Sequence, residues 1–221
     1  MGAFCFFCFP LDKRAAPYYN ICYITNVTKE GPFLPPKAKI TREMVVDAAV
    51  ETVRRSGAEN LNVRAVAEEL NCSTQPVMYH FAAMEELKKA AYARADRMHT
   101  EFLLAPAADR DPLLSIGLNY IRFAVREPNL FRFLFQSGYA PGTDLDSLLA
   151  SDEARPVLEA MREGIGCDAE RTKEIFLTVA LFVHGYASII ANNHLDFDED
   201  VLAGHLERAF NGAVLAAQEE E

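Results

Sequence analysis

Residues 40–87 read ITREMVVDAAVETVRRSGAENLNVRAVAEELNCSTQPVMYHFAAMEEL, and three short amphipathic segments follow one another within them. Thr41 is placed to cap the first, with Glu43 in the opening turn where the helix dipole favours an acid. Val45, Ala48, Ala49, Thr52 and Val53 recur at helical spacing as one buried stripe, and Ser56-Gly57 ends it behind Arg54 and Arg55. Asn62 caps a second segment whose stripe is Val63, Val66, Ala67 and Leu70. Asn71-Cys72-Ser73 makes a tight polar turn. A third helix starts near Ser73 or Thr74, with Pro76 in its first turn, where a missing N–H is harmless. Val77 and Phe81 then face inward, and Thr74, Gln75, Met78 and Tyr79 stay outside. That is the layout of a helix-turn-helix module, whose last helix is shaped to enter a DNA major groove.

The charge distribution is compatible with that expectation. The 221-residue chain is half hydrophobic and carries a net charge of −10, which alone argues against nucleic acid. Residues 34–100, however, sum to +1, while residues 101–221 sum to −12. Phosphate binding responds to local charge, so a neutral-to-basic head on an acidic body can approach DNA head first. Five scattered cysteines (Cys5, Cys8, Cys22, Cys72, Cys167) make no disulfide framework and fit a reducing cytoplasm. The Cys5-x-x-Cys8 spacing has no second pair to complete a zinc site. No apolar run reaches the ~18 residues of a membrane span, so no membrane partner is expected.

Residues 1–33 share no pattern with the rest, and no positive region precedes Phe4–Phe9 as a signal peptide would require. Lys29-Glu30-Gly31 is encodable as AAG-GAG-GGN, a ribosome-binding sequence, with Leu34 two codons on as a TTG start. Translated upstream sequence is therefore one reading of this leader, and a genuine, poorly ordered extension is the other. The segment Leu34–Arg42 reads as a basic arm, with Lys37 and Lys39, ahead of the head.

The head becomes more specific at its end. His80-Phe81-x-x-Met84-Glu85-Glu86-Leu87 resembles the TetR/AcrR family of transcriptional regulators, whose recognition helix commonly reads L-Y-x-H-F followed by x-x-K-E-x-L. The tyrosine that commonly touches phosphate in that family stands as Met78 here, with Tyr79 next to it, and the family's lysine stands as Met84. The resemblance implies DNA contact by Lys37, Lys39, Thr41, Ser73, Thr74, Gln75, Pro76, Met78, Tyr79 and His80. Gln75 and Thr74 are the base-reading candidates, because Gln pairs bidentately with adenine. The plainer alternative leaves Thr74 and Gln75 merely solvated and has His80 packing as a positioning residue.

Beyond the head no stretch alternates with period two, and the chain reads as all-α. A helix from Met84 to near Leu104 joins head to body. Asp111-Pro112 starts another, and Glu127-Pro128 breaks it. Asn129–Gln136 is apolar on nearly every side and so belongs in the core. Helices near 144–150 and 153–165, a long one from Asp168 to about Asn193 and a last one from Asp198 to about Gln218 complete the chain.

The domains expected are a leader (1–33), a helix-turn-helix DNA-binding domain (34–87) and an effector-binding and dimerisation domain (88–221). Tyr120, Phe123, Phe131, Phe135, Met161 and Phe176 are candidates to line an apolar effector pocket, with His184 and Tyr186 as polar contacts. A plain phenylalanine core is the bland reading of the same residues. Val179, Val183, Ala187 and Ile190, with Leu202, Leu206 and Phe210, are the expected homodimer face, or else they complete the core of one subunit.

Asp196, Asp198, Asp200 and Glu207 imitate part of a calcium loop, but Val201 replaces its glycine and helix capping explains them better. No metal spacing, nucleophile elbow or phosphate-cradling glycine loop occurs, so no metal, cofactor or enzyme activity is expected. The resulting expectation is a ligand-responsive regulator, a repressor in type, that binds palindromic operator DNA as a homodimer. A binding or interaction protein with a degenerate head, suggested by Met78 and Met84, is the competing reading.

Overall fold

The computed structural model describes residues 39–106, 111–139, 155–193 and 198–219. The leader, Lys37, the helix expected near 144–150 and Asp196 lie outside the described residues. Those described are helical throughout, with no strand: α1 (Arg42–Ser56), a 3-10 turn (Ala58–Asn60), α2 (Val63–Glu69), α3 (Thr74–His80), α4 (Met84–Leu103), α5 (Pro112–Arg126), α6 (Pro128–Gln136), α7 (Arg155–Ile165), α8 (Ala169–Asn193) and α9 (Glu199–Glu219).

Local chemistry sets most of these boundaries. The Thr41 side chain accepts from the Met44 N–H, and Asn62 accepts from the N–H groups of Arg64 and Ala65. Asp111, Asp168 and Asp198 cap α5, α8 and α9 in the same way. Each such cap satisfies backbone donors that a helix start leaves open, and is worth about 1 kcal/mol. At the other end of α1, Gly57 takes φ +87°, where a side chain would be strained, and returns its N–H to the Val53 carbonyl. Pro112 and Pro128 both stand in the first turn of their helices.

One main hydrophobic cluster runs through the molecule. It takes Val45, Ala49 and Val53 from α1, Val66 and Val77 from α2 and α3, and Leu87, Ala91 and Ala95 from α4. It continues through Ile121 and Phe123 of α5 and Leu130, Phe131, Phe133 and Leu134 of α6 to Val183, Ala187, Leu202 and Leu206 of the last two helices. Residues 39–221 accordingly form a single compact unit. The 87/88 boundary drawn on the sequence falls inside α4, whose buried side serves head and body alike. A smaller cluster gathers Met161, Ile175 and Ala217, with Phe176 and Phe210 packed against it.

The expectation about apolar length needs correcting. Helix α8 is long and apolar enough, by length and composition, to cross a membrane, with 28% of the window buried within the chain. Counting only uninterrupted apolar residues missed it, because Thr178, His184, Gly185 and Ser188 break the run without adding charge. In the structure α8 packs most extensively against α5 and α9, as the central helix of the body.

Candidate nucleic-acid interface and effector cluster

Helix α3 is short, and its pose depends on what lies beneath it. Val77 and Phe81 are almost wholly buried against α1 and α2, which fixes which side of α3 points outward. The turn before it is a Schellman arrangement: the Cys72 N–H reaches the Ala67 carbonyl, and the Asn71 N–H reaches Glu68. Asn71 adopts φ +49°, a left-handed conformation that asparagine tolerates. Ser73 caps α3 without spending its hydroxyl on the helix.

Ser73, Thr74, Gln75, Met78 and Tyr79 consequently form an exposed ridge, with Tyr79 81% and Met78 55% exposed. Lys39 is also exposed, and Pro76 is half-buried. Two of the expected DNA contacts also have local duties. Thr41 uses its hydroxyl as the α1 cap. His80 turns inward, and its Nε2 donates to the Ile40 carbonyl at 2.9 Å, tying the start of α1 to α3. Arg42 lies over the Phe81 ring at 4.3 Å and shields the same joint.

Polar contacts fasten the head to the body. Arg54, at the end of α1, donates to Glu127 at 2.9 Å, while its carbonyl accepts from Asn129 Nδ2 at 2.9 Å. Arg132 continues the chain from Asn129 Oδ1 (2.7 Å) to the Ala191 carbonyl of α8 (2.6 Å). The three carriers are half-buried, so water screens them less than surface pairs.

Five of the expected pocket residues do meet. Tyr120 donates to His184 Nδ1 at 2.9 Å, and His184 Nε2 lies 3.1 Å from Ser188 Oγ. Phe131 stacks on His184, and Phe135 contacts Tyr120, Phe131 and His184 edge-on or tilted. Phe123 joins through His99, with ring centroids 4.8 Å apart. Burial raises the Tyr120 phenol well above its ordinary value, with Tyr92 adding to it, and burial lowers His184, so both are neutral at pH 7.

The other three expected lining residues are not brought to this cluster. Met161 and Phe176 belong to the second cluster near α7, because they sit on the opposite stretch of the body helices. Tyr186 turns to α9, where its hydroxyl meets His205 Nδ1 at 2.6 Å.

One member was missed altogether. His99 of α4 is 5% exposed, packs against Tyr120, Phe123 and Phe135, and is pushed by burial down to about 3. Its signal was present: Leu87, Ala91, Ala95, His99 and Leu103 recur every four residues, which puts the histidine on the buried stripe.

The expected dimer residues also lie elsewhere than supposed. Val183, Ala187, Ile190, Leu202 and Leu206 are buried inside the chain, and Val179 and Phe210 are half-buried. The outward stripe of α8 is Thr178, Leu181, Gly185, Ile189 and Asn192. Leu181 and Ile189 there are 58% and 55% exposed, and Val201 and Leu215 of α9 are 56% and 61% exposed.

A helix-turn-helix head with an exposed third-helix ridge, carried by an all-helical body, defines a DNA-binding protein. Residues 113–211 match the family model described as the tetracyclin repressor-like C-terminal domain. Over 174 residues the chain is 21% identical to the uncharacterized HTH-type transcriptional regulator YobS of Bacillus subtilis, covering 76% of this chain and 88% of that one. Its fold is similar to a TetR-family regulator from Streptomyces coelicolor (TM-score 0.61, 14% identity, 81% of this chain and 82% of that one). It is also similar to a TetR variant from Acinetobacter baumannii in complex with minocycline (TM-score 0.55, 16% identity, 82% and 98%). Residues 113–211 thus match a tetracyclin repressor-like C-terminal domain, and the fold of the chain is similar to that of TetR-family regulators.

Proposed function

We propose that this protein is a ligand-responsive repressor that reads a palindromic operator as a homodimer. The observation that carries the reading is the α3 ridge: Ser73, Thr74, Gln75 and Tyr79 are exposed while Val77 and Phe81 lock the helix from below. Base edges fall to Thr74 and Gln75. Phosphates fall to Ser73, Tyr79 and Lys39, with Lys37 of the arm. His80 positions the helix. Met78, which offers phosphate no hydrogen bond, leaves backbone anchoring to these neighbours.

The outward stripes of α8 and α9 support the dimer. Gly185 lies mid-helix on the α8 stripe, and nothing within 4 Å would meet a Cβ there. Glycine inside a helix costs roughly 0.5–1 kcal/mol relative to alanine, and no packing within the chain calls for it at this site. Close approach by a second copy of α8 does. In this reading effector uptake by the cluster around Tyr120 and His184 shifts α4, and the two recognition helices leave their grooves. The minocycline complex of the Acinetobacter relative lends support to such a ligand response.

Fluorescence anisotropy with DNA from beside the protein's own gene tests the reading. Binding should weaken steeply with salt, as counterion release requires. Gln75→Ala should lose about 1–3 kcal/mol of discrimination at one base position, while Lys39→Ala lowers affinity for all sequences alike. A flat salt response would favour the competing interaction-protein reading.

A further inference from the structure

We infer that Arg42 is a phosphate clamp: its guanidinium, stacked on the Phe81 ring, grips the DNA backbone beside the C-terminal end of α3. The inference rests on the proposed DNA-binding function and adds to it a contact that the ridge itself does not supply.

Three observations place the group. The guanidinium carbon of Arg42 lies 4.3 Å from the centre of the Phe81 ring, and Phe81 is the residue that caps the end of α3. Phe81 is buried while Arg42 is exposed, so the guanidinium covers the ring from the solvent side. His80 Nε2 holds the Ile40 carbonyl, which pins the chain two residues before Arg42 to the same end of α3. Lys39 and Tyr79, the exposed neighbours of Ile40 and His80, gather at this joint as well.

The charge is free to act. Among the described residues Arg42 makes no ion pair, whereas Arg54 and Arg55 at the far end of α1 hold Glu127 and Glu69. The adjacent acid, Glu43, is occupied with the helix start. Its carboxyl is held below the usual carboxylate range first by its own N–H, then by the Thr41 hydroxyl, with Arg42 a lesser cause.

Stacking engages only the flat face of a guanidinium and leaves its in-plane N–H groups for other partners. That planar set matches two phosphate oxygens at once. Held on a ring that is itself locked in the core, the group also loses less freedom on binding than a lysine of the arm. Met78 has no polar hydrogen to give, and His80 has spent its Nε2. This end of α3 therefore brings only the Tyr79 hydroxyl to the backbone, and charge has to come from the start of α1.

Arg42→Met keeps a stem that can still cover Phe81 but removes the charge. Fluorescence anisotropy across a series of salt concentrations reads the consequence, with a duplex from beside the protein's own gene and an unrelated duplex of equal length. The variant is expected to bind both duplexes about 10-fold more weakly, the worth of a charged hydrogen bond. Its slope of log affinity against log salt should be shallower by about 0.9, one phosphate contact. Arg42→Lys should restore that slope and only part of the affinity, because the charge returns without the planar donors. A merely structural Arg42 would lower the Tm and leave the slope alone.

A native slope retained in Arg42→Met, a loss confined to one duplex, or a slope that Arg42→Lys fails to restore would each overturn the clamp. In all three cases steep salt dependence of the native protein leaves the DNA-binding reading standing. A flat salt response of the native protein brings down that reading and the clamp with it.

Discussion

Leu181→Glu combined with Ile189→Glu is expected to convert a dimer into monomers of 24.6 kDa and to weaken operator binding by at least ~100-fold. Both side chains are more than half exposed in the single chain, so the charges reach water in the monomer and should cost its folding little. Across a two-fold interface the same substitutions place four carboxylates in an apolar contact, where each must be desolvated without a partner. The loss in DNA affinity follows because one recognition helix alone forfeits the effective concentration that the second head supplies. Mass photometry reads the assembly and anisotropy reads the DNA. A double variant that stays dimeric places the interface on some other face.

Phe131→Ala is expected to destabilise the fold by about 3–5 kcal/mol, which for a chain of this size lowers the Tm by roughly 6–20 °C. Phe131 is fully buried on α6, stacks on His184 and touches both Tyr120 and Phe135. Its removal leaves a cavity bounded by aromatic rings that α5 and α8 hold apart and that cannot easily collapse. Differential scanning calorimetry measures the effect, and Leu181→Ala, on the exposed side of α8, serves as the comparison with little expected change. A small Tm shift for Phe131→Ala would mean that the cluster is loosely packed and easily rearranged.

The head was legible in the sequence because its signals are local. Capping residues, a stop glycine and one-sided stripes act within a turn or two, so Thr41, Asn62, Gly57 and the exposure of Gln75 could be read from spacing alone. The role of His80 was half visible: packing was weighed, but its carbonyl partner, Ile40, lies forty residues earlier. Faces of the body helices were not legible. Helix α8 is apolar around nearly its whole circumference, so periodicity gave no reason to prefer Leu181 and Ile189 over Val183, Ala187 and Ile190. Composition likewise grouped Met161 and Phe176 with the other aromatic and apolar residues, although they pack in a separate cluster. His99 escaped notice because a lone histidine on an apolar stripe resembles ordinary core, and only its empty Nε2 distinguishes it.

The central claim is that the α3 ridge of two subunits meets one DNA duplex together. Hydroxyl-radical footprinting of DNA from beside the protein's own gene tests it most directly. The account predicts two protected windows related by a two-fold axis, their centres one helical turn apart, about 34–36 Å, or a multiple of it. Both windows should vanish together in the Leu181→Glu, Ile189→Glu double variant at concentrations that saturate the native protein. A single window, or protection without regular spacing, would contradict it.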